Sequence, residues 1–152
     1  MANTLSDWQR MDYNKPQIIE LPKVSDPRGN LTFVEGEGHV PFDIKRAYWI
    51  YDVPGGMYRD GHAFRHQDEL IIALSGSFDV VLNDGTGEQR YHMTRPNCGL
   101  FVPHMTWRYI DSFSTNSVAY VLSNQPYDPA DYIEDFKEYQ KQLLDSHADK
   151  SD

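Results

Sequence analysis

The chain has 152 residues, 39% of them hydrophobic and 13% aromatic, which suits one domain with a substantial core. Its formal net charge of -9 and pI of about 5.0 exclude the basic footprint of a nucleic-acid binder. Cys98 is the only cysteine, so an intrachain disulfide and a zinc knuckle are excluded, and no apolar run reaches membrane-spanning length. The N-terminus lacks an apolar signal core, so the expected location is the cytoplasm and no membrane partner is expected.

Residues 1–15 are polar and irregular and read as a flexible arm. QIIELPKV from Gln17 reads as a strand that stops at the turn S-D-P-R-G-N. LTFVEGEG is the next strand, and IKRAYWIYDV a third, rich in aromatic and branched residues. Alternation within it puts Arg46, Tyr48 and Ile50 on one face, and Ala47, Trp49 and Tyr51 on the other. The stretch from Gly56 to Gly76 reads as a strand region closed by a Ser-Gly turn. SFDVVLND ends in the hairpin signal Asn83-Asp84-Gly85, and EQRYHMT follows. LFVPHMTWRYI and SVAYVLSN are the last strands. Short, evenly spaced strands divided by Gly, Pro, Asn and Asp predict an all-β antiparallel sandwich or barrel. Beyond Asn124, Asp128 and Pro129 read as the start of a short C-terminal helix, with Tyr132, Ile133, Phe136 and Tyr139 on its apolar stripe. Residues 16–145 form the expected single domain, and 146–152 a frayed tail.

The stretch most informative about function is again Gly56 to Gly76. Five residues separate Gly56 from His62, one separates His62 from Phe64, four lie between Phe64 and Glu69, and six between Glu69 and Gly76. These spacings resemble the first motif of the cupin superfamily, whose fold is a jelly roll. In the metal-binding cupins H-x-H, a Glu and a later His hold one metal. Here Phe64 replaces the second histidine. In the second motif the stretch Pro103-His104-Met105-Thr106-Trp107-Arg108 puts Arg108 at the last ligand position. A permanent guanidinium repels a divalent ion. No metal and no other cofactor is therefore expected.

A site with His, Glu, Tyr and Arg but no metal suits proton transfer on an anionic substrate. A histidine base removes a proton alpha to a carbonyl, and the enediolate needs positive charge or donors. Arginine forks hold phosphates bidentately. Candidates are Arg46, Arg59 and Arg108; Trp107 and Tyr48 offer faces for a base or sugar. Each also has an ordinary structural use, in a surface ion pair or in core packing. For a lone His62 that use is a buried imidazole satisfied by a carbonyl; the surrounding spacings favour a site residue instead.

Six segments carry a closer resemblance. They are D-P-R-G-N-L (26–31), P-F-D-I-K-R-A-Y-W-I-Y-D (41–52), R-D-G-H-A (59–63), A-L-S-G-S-F-D-V-V-L-N-D-G (73–85), P-H-M-T-W-R (103–108) and Y-D-P-A-D-Y-I-E-D-F (127–136). The chain resembles the dTDP-sugar 3,4-ketoisomerases, the WxcM-like C-terminal family, from about Pro16 to Tyr139. The resemblance implies a metal-free jelly-roll homodimer acting on dTDP-4-keto-6-deoxyglucose, in deoxyamino-sugar synthesis for surface polysaccharide. It implies that His62 is catalytic and that Arg46, Tyr48 and Arg59 lie in the nucleotide-sugar pocket. The family pattern H-A-H is H-A-F here, and its frequent Trp-His is Trp107-Arg108.

The expected chemistry is isomerisation through an enediol, with His62 as base and Tyr48 as donor to the carbonyl oxygen. The Arg residues, Phe64, Glu69 and Trp107 are assigned to substrate binding. Two alternatives stand beside it. One is a 3- or 5-epimerase of a similar sugar, which returns the proton to the same carbon. The other is a nucleotide-sugar-binding cupin that has lost catalysis with the second histidine.

Overall fold

Twelve strands and one helix account for most of residues 12–150, which the computed structural model describes. The strands are β1 (Gln17–Glu20), β2 (Lys23–Asp26), β3 (Gly29–Thr32), β4 (Arg46–Tyr51), β5 (Arg59–Phe64) and β6 (Glu69–Ser75). They continue with β7 (Phe78–Asn83), β8 (Glu88–Met93), β9 (Cys98–Val102), β10 (Trp107–Asp111), β11 (Val118–Ser123) and β12 (Tyr132–Ile133), and the helix α1 (Phe136–Lys150) closes the chain. Two five-stranded sheets run β1-β9-β6-β11-β4 and β12-β5-β10-β7-β8, and β2 pairs with β3 alone. Every strand pair is antiparallel. The all-β antiparallel sandwich expected from the short, evenly spaced strands is the fold observed, in the jelly-roll form that the resemblance implies.

The sheets close on a shared core. Ile71, Leu100, Val102 and Val121 of the first sheet meet Phe78, Val80, Leu82 and Ile110 of the second. Burying each such side chain stabilises the fold by roughly 1.5–3 kcal/mol. Glu69 to Ala73 of β6 are all buried, as a central strand covered on both faces requires. The outer face of β6 and β9 is covered by Ile19, Leu21, Val40 and Phe42. α1 packs at the end of the sandwich, with Tyr139 against Ala63 and Ile133. The Tyr139 hydroxyl reaches the carbonyls of Asn83 and Met105, at 3.0 Å each.

Tertiary pairing redraws several predicted boundaries. QIIELPKV divides because β1 pairs with β9 whereas β2 folds back on β3. LFVPHMTWRYI divides at Pro103, since β9 belongs to one sheet and β10 to the other. Met105, between them, has a φ of 59° and donates its N–H to the Phe64 carbonyl at 2.7 Å. The largest difference is at the C-terminus. Asp128 does cap, but it caps a single 3₁₀ turn, Pro129–Asp131. Tyr132 and Ile133 then pair with Phe64 and Ala63 of β5, and the helix starts at Phe136. It runs through to Lys150, past the boundary expected for a frayed tail, while most of the expected N-terminal arm lies outside the described residues.

Candidate active site

The site lies between the two sheets, where strand alternation aims side chains inward. On β4, Arg46, Tyr48 and Ile50 are half-buried, whereas Ala47, Trp49 and Tyr51 are exposed. β5 and β10 pair so that His62 stands opposite Arg108. The residue before His62 must be small: a Cβ on Gly61 would lie 2.6–2.7 Å from the Trp107 indole. Gly76 takes a φ of 62° to turn β6 into β7, which only glycine adopts freely.

A cavity of about 870 Å³ opens here. The first sheet lines it with Tyr48 and Glu69, the second with Arg59, His62, Trp107 and Arg108, and Tyr132 adds a wall. A space of this size accommodates a drug-sized or nucleotide-sized ligand.

Glu69 is the hub, at 1% exposure. Its Oε2 accepts the Tyr48 hydroxyl at 2.5 Å and Gln67 Nε2 at 2.8 Å, and its Oε1 accepts Arg108 NH1 at 2.6 Å. Arg108, 2% exposed, also donates from NH2 to the Thr106 carbonyl at 3.0 Å. Its guanidinium carbon lies 5.0 Å from the centre of the Phe64 ring. Two buried opposite charges thus compensate one another's lost hydration, which neither could tolerate alone. Burial, and next the negative charge of Glu69, push the Tyr48 hydroxyl well above the ordinary phenol range.

Six of the eight sequence-predicted residues line the cavity: Tyr48, Arg59, His62, Glu69, Trp107 and Arg108. The other two sit behind it. Phe64 is fully buried, in edge contact with His62 (ring centroids 4.8 Å apart) and with Tyr132 (4.6 Å). It is therefore a backing for the His62 imidazole and the Arg108 guanidinium rather than a surface for a ligand. Arg46 lies over the rings of Tyr48 and Tyr127, at 4.9 and 5.5 Å, and reaches Gln67 Oε1 at 3.4 Å. The expectation for Tyr48 as a donor also changes. A phenol has one proton to give, and that of Tyr48 goes to Glu69.

Sequence reasoning missed Gln67, Tyr132 and Glu134. Gln67 precedes Glu69 by two, so strand parity could have placed both on one side. Tyr132 and Glu134 carried no such signal, having been read as helix. His66, the next histidine along the chain, is not among the residues lining the cavity. β5 ends at Phe64, and the His66 ring turns to Asp131 at 2.9 Å.

The donor set does not fit a cupin metal. Phe64 offers no ligand atom, and Arg108 occupies the carboxylate of Glu69 with a cation. Among the described residues no three His, Cys, Asp or Glu side chains come together as a metal cage. Three of the four remaining described histidines are engaged elsewhere. His92 bonds Asp79, His104 bonds Asp68, and His39 accepts the Glu35 N–H.

Comparison with known proteins places this geometry. A family model described as FdtA, WxcM-like, C-terminal, matches residues 14–143. The chain belongs to this family. Over 134 residues it is 33% identical to the TDP-4-oxo-6-deoxy-alpha-D-glucose-3,4-oxoisomerase of Aneurinibacillus thermoaerophilus, covering 88% of this chain and 96% of that protein. The WlaRB TDP-quinovose 3,4-ketoisomerase from Campylobacter jejuni superposes with a TM-score of 0.80 at 35% identity, over 83% of this chain and 97% of its own. A histidine-to-asparagine variant of the 3,4-ketoisomerase QdtA from Thermoanaerobacterium thermosaccharolyticum, solved in complex with TDP-4-keto-6-deoxyglucose, gives a TM-score of 0.83 at 31% identity. That match covers 88% of this chain and 96% of the QdtA chain. Among the described residues of this FdtA-family chain, no helix is long and apolar enough to cross a membrane.

Proposed function

We propose that this protein isomerises a TDP-linked 4-keto-6-deoxyhexose to the 3-keto sugar, without a metal or other cofactor, through an enediol. The observation that carries the reading is one cavity in which an imidazole, His62, faces the cluster of Tyr48, Glu69 and Arg108. The activities of the relatives, matched over nearly their whole length, supply the substrate class. The substrate's own carbonyl acidifies the neighbouring C–H, so a positioned base suffices. His62 is that base. Arg108 brings fixed positive charge to the side of the cavity where negative charge develops. Arg59, exposed at the cavity, meets the pyrophosphate, and Trp107 offers an aromatic face. The product belongs to deoxyamino-sugar synthesis for surface polysaccharide, in the cytoplasm. The working unit is a homodimer, because β4 is an open sheet edge with Trp49 and Tyr51 exposed beside it.

The test is incubation with dTDP-4-keto-6-deoxyglucose, followed by proton NMR. Appearance of the 3-keto isomer supports the reading; an unchanged spectrum refutes it. Phe64 favours a second reading, a nucleotide-sugar-binding protein built on the enzyme's fold, because the family's second histidine is absent. A wild type that binds TDP but is inert, with turnover gained in Phe64→His, selects that reading.

A further inference from the structure

The geometry points to a bulge in β5 as the device that turns Arg59 into the cavity, with Gly61 and Trp107 as the positioning residues that hold it. This rests on the reading of Arg59 as the pyrophosphate contact.

Plain alternation would place Arg59 elsewhere. It stands three positions before His62, so an unbroken strand would send the two side chains to opposite faces. His62 stands opposite Arg108, whose guanidinium reaches the buried Glu69 between the sheets. Arg59 would then lie on the outer face of the second sheet. It lines the cavity instead.

The strand register accounts for this. His62 pairs with Arg108, but Arg59 pairs with Ile110. Two residues of β5, Asp60 and Gly61, therefore oppose the single residue Tyr109 of β10. Such a bulge inserts one residue into a strand, and a shift of one residue inverts the facing of what lies beyond it. Ile110 belongs to the core between the sheets, with Phe78, Val80 and Leu82. Residues paired across an antiparallel ladder share a face, so Arg59 takes the inward side with Ile110. Among the described residues lining the cavity, Arg108 is already bonded to Glu69, which leaves the guanidinium of Arg59 to meet an anion.

A bulge breaks the ladder locally, so packing has to favour it. Trp107 supplies that packing from the outer face of β10, one position from Arg108. It packs against the cluster of Ala63, Ile133 and Tyr139. Its indole meets the rings of Phe136 and Tyr139 of α1, at 5.2 and 5.7 Å between centroids. The hydroxyl of Tyr139 is fixed in turn by the carbonyls of Asn83 and Met105. The indole is thus clamped from the helix side, and on its other side it meets the bulge. A Cβ on Gly61 would lie 2.6 Å from the indole nitrogen. Glycine lets the extra residue tuck under the ring, and the ring keeps it from slipping back into register. This task is separate from any aromatic face that Trp107 turns to a ligand.

Double-mutant cycles distinguish the two tasks. Calorimetry gives the TDP affinity of the wild-type chain, of Trp107→Leu and of Gly61→Ala, each with Arg59 present and again combined with Arg59→Ala. A thermal melt confirms the fold of every variant. Gly61→Ala presses on the bulge while leaving the indole in place, so it decides the matter should Trp107→Leu fail to fold. Each substitution is expected to weaken TDP binding roughly tenfold when Arg59 is present and less than about twofold when residue 59 is alanine, because its effect passes through Arg59. An equal loss in both backgrounds overturns the proposal, since Trp107 would then serve the ligand by its own face. Wild-type affinity in either folded variant overturns it as well. If Arg59→Ala alone binds TDP as tightly as wild type, the pyrophosphate reading of Arg59 fails, and the positioning role fails with it.

Discussion

Arg108→Met isolates the energetics of the buried ion pair. Arg108 and Glu69 are 2% and 1% exposed, and the substitution leaves Glu69 Oε1 without its partner. Tyr48 and Gln67 still donate to Oε2, so the carboxylate keeps two hydrogen bonds but loses its countercharge. Removing one member of a buried pair costs about 3–5 kcal/mol. The lost contact of the guanidinium with Phe64, worth about 0.5–2 kcal/mol, is offset in part by sulfur–aromatic contact of about 0.3–1.5 kcal/mol. At about 2–4 °C per kcal/mol for a domain of this size, the melting temperature should drop by roughly 6–20 °C. Adding Glu69→Gln removes the stranded charge, so the double variant should return to within about 2 kcal/mol of wild type. Urea titrations followed by circular dichroism, at one fixed protein concentration, give all four corners of the cycle. A single-variant loss below about 1 kcal/mol, or a double variant as weak as the sum of its parts, would refute the account of the pair.

Further outcomes are expected. His62→Asn should lower turnover of the keto sugar by about 10²–10⁴ while calorimetry finds TDP binding nearly unchanged; full activity would put the base elsewhere. Arg59→Ala should weaken TDP binding by about 1.5–3 kcal/mol. Arg46→Ala should weaken it less, since Arg46 lies behind Gln67 and outside the cavity lining. Elemental analysis of purified protein should find no stoichiometric transition metal; one metal per chain, lost in His62→Ala, would contradict this. Light scattering at micromolar concentration should return the mass of a dimer, and a monomer mass would oppose the assembly proposed.

What the sequence disclosed and what it concealed follow from the range of the interactions involved. Alternation on β4 is a local property, so the inward aim of Arg46 and Tyr48 was legible. The spacing from His62 to Glu69 was legible for the same reason, because turn length and strand parity fix it. Whether an inward residue reaches the cavity depends on the partner strand and on what packs behind. Phe64 and Arg46 share a parity with site residues yet lie outside the lining, one under His62 and one beyond Gln67. The C-terminal segment shows the limit most clearly. Asp128-Pro129 is a true capping signal, but pairing of Tyr132 with Phe64, across the fold, overrides the helix that local pattern predicts.

The carboxylate of Asp131 receives the backbone N–H groups of His66 and Gln67, at 3.0 Å each, and the His66 ring at 2.9 Å. It therefore anchors the loop that leads into Glu69 to a segment made some sixty residues later. β12 is the last strand to be made, after every other strand of both sheets. Until it emerges, the Gln67 backbone lacks its anchor and the cavity lacks the Tyr132 wall. Competence for ligand thus arrives with the last strand, and a message truncated after β11 would encode most of the sandwich with an unfinished pocket.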